Sequence, residues 1–295
     1  MEFSTTGIIC AILYLVFAPF IGGLLNGIDR KITARMQGRK GPSILQPFYD
    51  VSKLIKKDVM RINNMQYIFV WGFLVLVIIT GLMFFAGEDL LLVFFTLTTA
   101  AMFLVLEAST TNTSYSVLGA QREIMQMLSY EPMVLITAVG FYMATGSFHV
   151  SDIISADIPA VVYLPGVFVG FLYILTIKLR KSPFDISTSH HAHQELVKGI
   201  TTELSGKMLA VIEITHWYEN VFLMGIIALF IVHRAWWSIP LAIIVMALAY
   251  FIEILIDNSS ARVKWDVMFK SSWIITIVAG VLNIIVLQIL LPILK

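Results

Sequence analysis

The chain has almost no cysteine: Cys10 is the one thiol in 295 residues. A single thiol closes no internal disulfide and cannot hold an iron–sulfur cluster, so a redox centre of that kind would have to belong to another chain. Charge is scarce too. Asp, Glu, Lys and Arg make up 13% of the residues against 58% hydrophobic, with a mean hydropathy of +0.87, where a soluble domain runs at roughly 25% charged and 45–50% apolar. That balance excludes a water-soluble globular domain and identifies an integral membrane protein. No glycine-rich phosphate loop and no Cys/His zinc spacing occurs, and no metal site or nucleic-acid partner is expected. Asp185, Ser187 to Ser189 and His190 could be assembled into a hydrolase-like set. No strand–turn–helix elbow accompanies them, and no catalytic residue is assigned.

What the sequence does have is long apolar runs. Windows without a charge cover 3–28, 62–87, 90–106, 132–151, 158–177, 235–252 and 271–294, and 208–232 is equally long but contains Glu213, His216 and Glu219. Each is near the ~20 residues needed to cross about 30 Å of hydrocarbon. The expected fold is all-α, one polytopic membrane domain over residues 1–295 with about eight transmembrane helices. The first window follows Glu2 rather than a basic stretch, and reads as a membrane helix rather than a cleaved leader. Eighteen of the twenty Lys and Arg residues fall in 29–61, 107–131, 178–207 and 257–270. By the positive-inside rule these loops face the cytoplasm and both termini lie outside.

The basic loops carry amphipathic helices. In 29–61 a turn is expected at Gly41-Pro42, after which Leu45, Phe48, Val51, Ser52 and Ile55 fall at helical spacing, with Lys53, Lys56 and Lys57 off that stripe. In 107–131 Arg122 and Glu123 sit in a helical pattern with Leu118, Met125, Met127 and Leu128, and Glu131-Pro132 fits a helix start. Arg122 would pair with a nearby carboxylate as structural glue.

Carboxylates mark the ends and interiors of the spans: Glu107, Glu131, Glu213, Glu219, Glu253 and Asp257. An ionisable residue in a membrane segment is costly and marks an ion path or a paired interior site. Glu107, Glu131 and Glu253 also fit an interfacial position from which they reach water. Glu213 and Glu219 lie deeper, roughly 120° apart around a helix with His216 between them, so one inward face could carry all three. His190, His191 and His193 invite a metal reading, but adjacent residues on a helix point apart and no HExxH-like carboxylate accompanies them; proton relay or polar packing is the preferred role.

Three stretches then converge on a family. ARMQGRKGPSILQPFYDVSKLIKKD, NTSYSVLGAQREIMQMLSYE, and SPFD with QELVKG and TELSGK closely resemble loops of the membrane subunit of respiratory complex I that docks the hydrophilic arm. QREIMQMLSYEP, SHHAHQEL and the 295-residue length are more similar to the homologous subunit of energy-converting, membrane-bound [NiFe] hydrogenases of the Ech type. The resemblance implies a subunit of a prokaryotic cell membrane with no redox centre of its own. Iron–sulfur clusters and a Ni–Fe site would sit in partners: hydrogenase large and small subunits and a ferredoxin-like iron–sulfur subunit, beside an antiporter-like membrane subunit. It implies docking or cavity roles for Arg30, Arg35, Gln37, Arg39, Gln46 and Asp50, with Asp185 bracing the third basic loop and Arg122 beside them. A proton path would follow Glu131, Glu195, Glu203 and Glu213, with Glu219, His216 and Glu123 added. His190, His191 and His193 stand where complex I has carboxylates. The function implied is coupling of ferredoxin-linked hydrogenase electron transfer to H⁺ or Na⁺ translocation. The alternatives are the same subunit in a quinone-reducing or formate-linked complex, and a stand-alone secondary transporter, which would call for internal repeats that the sequence does not display.

Overall fold

A computed structural model describes residues 5–59, 63–111, 113–188 and 198–294, and among them there are helices and no strand. In chain order these are α1 (Thr5–Met36), α2 (Gln46–Lys56), α3 (Asn64–Ala86), α4 (Leu90–Ser109), α5 (Ser114–Thr145), α6 (Val150–Ile154), α7 (Ala160–Tyr163), α8 (Pro165–Lys178), α9 (Gly206–Ile231), α10 (Ser238–Ser259), α11 (Trp265–Ile275) and α12 (Leu282–Leu294). A π-helical stretch, Thr276–Val281, joins the last two. Seven segments are long and apolar enough to cross a membrane: α1, α3, α4, α5, α9, α10 and Trp265–Ile289. The protein is an all-α, multi-pass membrane protein.

The remaining apolar window, 158–177, is not one continuous helix. It breaks at Leu164-Pro165 into α7 and the 14-residue α8, which at 1.5 Å per residue is about 21 Å long and shorter than the hydrocarbon layer. Pro165 lacks an N–H and drives Leu164 out of the helical region. The broken end is sealed from another helix. Asn283 Oδ1 accepts from the N–H groups of Gly166 (2.8 Å) and Val167 (3.1 Å), and its Nδ2 donates to the Tyr163 carbonyl at 3.2 Å. In a lipid interior every backbone group needs such a partner.

Two further prolines lie inside spans, and each frees a carbonyl four residues earlier. Pro19 in α1 leaves the Leu15 carbonyl to the Tyr218 hydroxyl, which donates to it at 2.8 Å. Pro132 in α5 leaves the Leu128 carbonyl to the Trp273 indole N–H at 3.3 Å. The helix start expected at Glu131-Pro132 is therefore wrong. Helix α5 begins at Ser114 and runs through Pro132 because Trp273 supplies the lost bond, and most of the loop expected over 107–131 is helix.

Small residues on α1 admit its neighbours. A Cβ at Gly22 would collide with the Trp217 backbone of α9, and one at Gly27 with the Ile44 carbonyl in the segment leading to α2. Close backbone approach of this kind is how membrane helices pack when lipid removes any hydrophobic drive between them. Two residues of the stripe expected in α2 pack inward, Phe48 on Trp217 at 5.1 Å between ring centroids and Val51 buried in the same patch, while Leu45, Ser52 and Ile55 are exposed along with the lysines because Leu54 takes the inner face in their place. At the opposite ends of the helices the α3–α4 and α5–α6 turns are knitted together, Leu90 N–H to the Phe148 carbonyl (2.9 Å) and Val150 N–H to the Glu88 carbonyl (3.1 Å). Helices α4, α5, α8 and α9 carry the continuous buried core, while α1, α10 and Trp265–Ile289 turn wide apolar faces outward, as lipid-facing helices do.

Candidate functional site

The site is organised by the turn that ends α8. Arg180 takes the left-handed conformation (φ 52°) there; its N–H bonds the Ile177 carbonyl at 3.0 Å and the Lys181 N–H bonds the Thr176 carbonyl at 3.1 Å. This is the double-bonded helix stop that glycine usually supplies. A side chain in that position costs roughly 1–2 kcal/mol, and here the side chain is the centre of an ionic network.

Arg180 reaches inward to α5 and α9. Its Nη2 donates to Glu123 Oε1 at 2.7 Å and its Nε to the same oxygen at 3.2 Å, while Ser187 Oγ donates to Glu123 Oε2 at 2.5 Å. Its Nη1 lies 3.7 Å from Glu219 Oε2 and 3.2 Å from His216 Nδ1, which is itself 3.3 Å from Glu219 Oε2. The side chains of Arg180, Glu123 and Glu219 are 12%, 3% and 8% exposed. Burial works against the Arg180 charge, but flanking Glu123 and Glu219 outweigh it and hold the guanidinium charged beyond its ordinary range.

The network continues through Lys178 on α8. Its ammonium is buried with no hydrogen-bond partner, stands over the Tyr130 ring at 4.4 Å and is within Coulombic reach of Glu219, Glu131, Arg180 and Glu123. Glu131 accepts from Thr98 Oγ1 at 3.1 Å. Beside Lys178, side chains of α4, α5, α8 and α9 including Leu97, Val134 and Ile226 enclose a small apolar cavity with room for about one water. Carboxylates and bases alternating at these separations can pass or hold a proton, and a change of charge at one end would be felt at the next in a poorly screened interior.

The described residues of the third basic loop on either side of 189–197 meet beside this site. Ile200 N–H donates to the Ser187 carbonyl at 3.1 Å. Gly199 and Ile200 in turn lie against Gly119 of α5 so closely that a Cβ there would strike their backbone.

Of the sequence-derived residues, Glu123, His216 and Glu219 are brought together, with Glu131 next in line. Glu213, on the same helix, is half-buried and makes no hydrogen bond or ion pair with the described residues. Glu203 follows the loop's return and acts electrostatically on Glu107, a buried carboxylate of α4 that accepts from Gln66 Nε2 at 2.7 Å. Glu195, His190, His191 and His193 lie outside the described residues. Among the residues assigned to docking, Arg30 pairs with Asp50 at 2.7 Å and Gln46 bonds Asp50 at 2.9 Å, joining α1 to α2. Burial opposes the Asp50 charge, but the bonds from Arg30 and Gln46 hold its carboxyl below the usual range. Gln37 accepts from Arg39 and donates to Asn258 at 3.2 Å, and Arg35 is exposed. Arg122 is half-buried on α5 beside Glu123. Asp185 is braced by Arg262 at 3.0 Å. Sequence reasoning missed Lys178 and Arg180, which count as loop cations in a charge tally. The signal available was their place, within three residues of the end of an apolar window.

A polytopic helical membrane protein with a buried Arg–Glu–Lys network at one end of its core is the class that this fold and site define. A family model described as NADH dehydrogenase matches residues 8–288, and the chain belongs to that family. It is 29% identical over 309 residues to an NADH-quinone oxidoreductase subunit of Geobacter metallireducens, covering 92% of this chain and 89% of the relative. It is 26% identical to hydrogenase-4 component C (90% of each chain) and 26% identical to formate hydrogenlyase subunit 4 (90% and 93%), both of Escherichia coli. In structure it superposes on a chain of the membrane-bound sulfane sulfur reductase, an archaeal respiratory membrane complex, with a TM-score of 0.81 over 94% of this chain and 99% of that one; at 21% identity this likeness speaks for the fold.

Proposed function

We propose that the chain is the membrane subunit of a ferredoxin-linked, ion-translocating [NiFe] hydrogenase complex, holding the cytoplasmic redox module and coupling its electron transfer to H⁺ or Na⁺ movement. The observation that carries this reading is the buried network running from Glu123 through Arg180 and Glu219 to Lys178 and Glu131. It is a charge-handling device in a chain whose one thiol, Cys10, is exposed and remote from any cluster-binding pattern. The basic segment 29–57 would face the cytoplasm and dock the redox module, with the clusters and the Ni–Fe site in hydrogenase large, small and ferredoxin-like subunits and an antiporter-like subunit alongside. The full-length likeness to a hydrogenase-4 component and a formate hydrogenlyase subunit supports the hydrogenase branch. The 29% identity to a quinone oxidoreductase subunit favours, as second reading, the same role beside a quinone-reducing module.

The test is purification of the tagged chain in mild detergent, identification of its companions, and assay for hydrogen evolution from reduced ferredoxin in liposomes together with ion uptake. A nickel–iron companion and hydrogen evolution are expected, and Glu131→Gln and Glu219→Gln should abolish ion uptake while keeping part of the hydrogen evolution. Quinone reduction without nickel would move the chain to the second reading. Undiminished ion uptake in both variants would remove the coupling role from the network.

A further inference from the structure

Helix α2 does not lie flat across the helix ends. The chain leaves α1 at Met36 and doubles back, so that the Ile44 carbonyl comes against Gly27 and the Phe48 ring against Gly23, about 14–20 Å back along α1 from that end. It then climbs beside the first turns of α9, Phe48 against Trp217 and the carbonyls of Lys57 and Asp58 against Gly206. Helix α9 has 26 residues and is about 39 Å long, against about 30 Å of hydrocarbon. Trp217 stands about 21 Å from the far end of α9 at Ile231, inside that layer, while Gly206 stands beyond it. The start of α2 is therefore at the depth of lipid chains, and its end is at the interface.

The face that α2 turns away from the protein changes character in the same direction. Leu45, Tyr49, Ser52 and Lys56 fall at helical spacing and form one exposed row. At its deep end Leu45 and Tyr49 are 50% and 56% exposed. That end is continuous with the outward face of α1 through Phe20, which is 58% exposed and whose ring stacks on Phe48 at 6.5 Å. At the shallow end Lys53, Lys56 and Lys57 are all exposed. Lys53 and Lys57, at i and i+4, repel each other unless an anion sits between them. Of the carboxylates beside them in the chain, Asp50 is held by Arg30 and Gln46, which leaves Asp58 against three ammonium groups.

We propose that this face of α2 binds an anionic phospholipid, with an acyl chain along Phe20, Leu45 and Tyr49 and the headgroup phosphate among Lys53, Lys56 and Lys57. A lipid presents hydrocarbon, then its ester and glycerol oxygens, then phosphate, and the row from Leu45 through Tyr49 and Ser52 to Lys56 meets them in that order. A zwitterionic phospholipid fills the apolar half but brings no net charge to the three ammonium groups. A water-soluble redox module meets the lysines but not the deep half of the row, which lies at the depth of lipid chains. The end of α1, where Arg35 and Lys40 are exposed, is left to such a module.

The experiment places the full chain, with the subunits that accompany it, in bilayers of phosphatidylcholine and phosphatidylglycerol in which one of the two lipids carries brominated acyl chains. Tyr49→Trp puts an indole on the row, and its fluorescence is read as the difference from the unsubstituted chain. Brominated chains should quench it, and at equal mole fraction phosphatidylglycerol should quench more strongly than phosphatidylcholine. Each lysine should contribute about fivefold to that preference. Lys53→Gln, Lys56→Gln and Lys57→Gln together should therefore bring the two lipids to parity while quenching by phosphatidylcholine persists. No quenching of the new indole, equal quenching by the two lipids, or a preference unchanged by the three Gln substitutions would each overturn the assignment. Should Tyr49→Trp not assemble, Leu45→Trp on the same row reads the same contact.

Discussion

Replacing Arg180 by Met removes the one guanidinium shared by Glu123 and Glu219 and leaves two enclosed carboxylates, 3% and 8% exposed, facing each other. Removing one partner of a buried ion pair costs about 3–5 kcal/mol, most of it the cost of the charge left behind. That is a large part of the ~5–15 kcal/mol that holds a typical domain folded. Two companion variants separate the contributions. Arg180→Gly also loses the ion pair but relieves the left-handed backbone (φ 52°), so it should be about 1–2 kcal/mol more stable than Arg180→Met. Glu123→Gln combined with Arg180→Met removes the stranded charge that makes the tightest contact, and should recover more than half of the loss. The assay is the fraction of chain remaining monodisperse after a temperature series in mild detergent. Arg180→Met as stable as the native chain, or a double variant no better than Arg180→Met, would refute the ionic account of this turn.

Three further outcomes are expected. Asn283→Leu strands the N–H groups of Gly166 and Val167 inside the apolar layer, and each orphaned group costs about 1–3 kcal/mol; the same thermal series should show the loss, whereas Asn283→Asp, which keeps the accepting oxygen, should lose less. Gly119→Ala forces Gly199 and Ile200 off α5 and should destabilise by about 1–3 kcal/mol, with ion uptake by the assembled complex falling because Ser187 moves with them. Because Asp50 is held below the usual carboxylate range by Arg30 and Gln46, its contribution is fully present above about pH 4 and is lost as the pH falls through its lower folded value. With Asp50 and Arg30 about two-fifths exposed (38% and 42%), that contribution is below about 1 kcal/mol and should vanish in high salt or in Asp50→Asn, read as the pH dependence of thermal stability.

The membrane class, the helical content, the positions of seven spans and the amphipathic α2 were legible in sequence, because lipid demands long uncharged runs and a surface helix demands a 3.6-residue stripe. Periodicity could not tell that α5 passes through Pro132 or that the 158–177 window breaks at Pro165. Both depend on whether a distant side chain, Trp273 or Asn283, supplies the bond that proline takes away. The site was half visible: Glu123, His216 and Glu219 stand out as ionisable residues in apolar surroundings, yet nothing local says that Glu213, six residues before Glu219, stands outside their network. Arg180 and Lys181 are the clearest case. As neighbours in sequence they read as one basic patch at the end of a span, and a charge tally treats them alike. Only the left-handed turn between α8 and the third basic loop parts them, one toward the carboxylates of α5 and α9 and the other toward those of α1 and α10. Composition determines that such charges must be paired once they are buried; which carboxylate each one meets is decided by helix packing far from it in the chain.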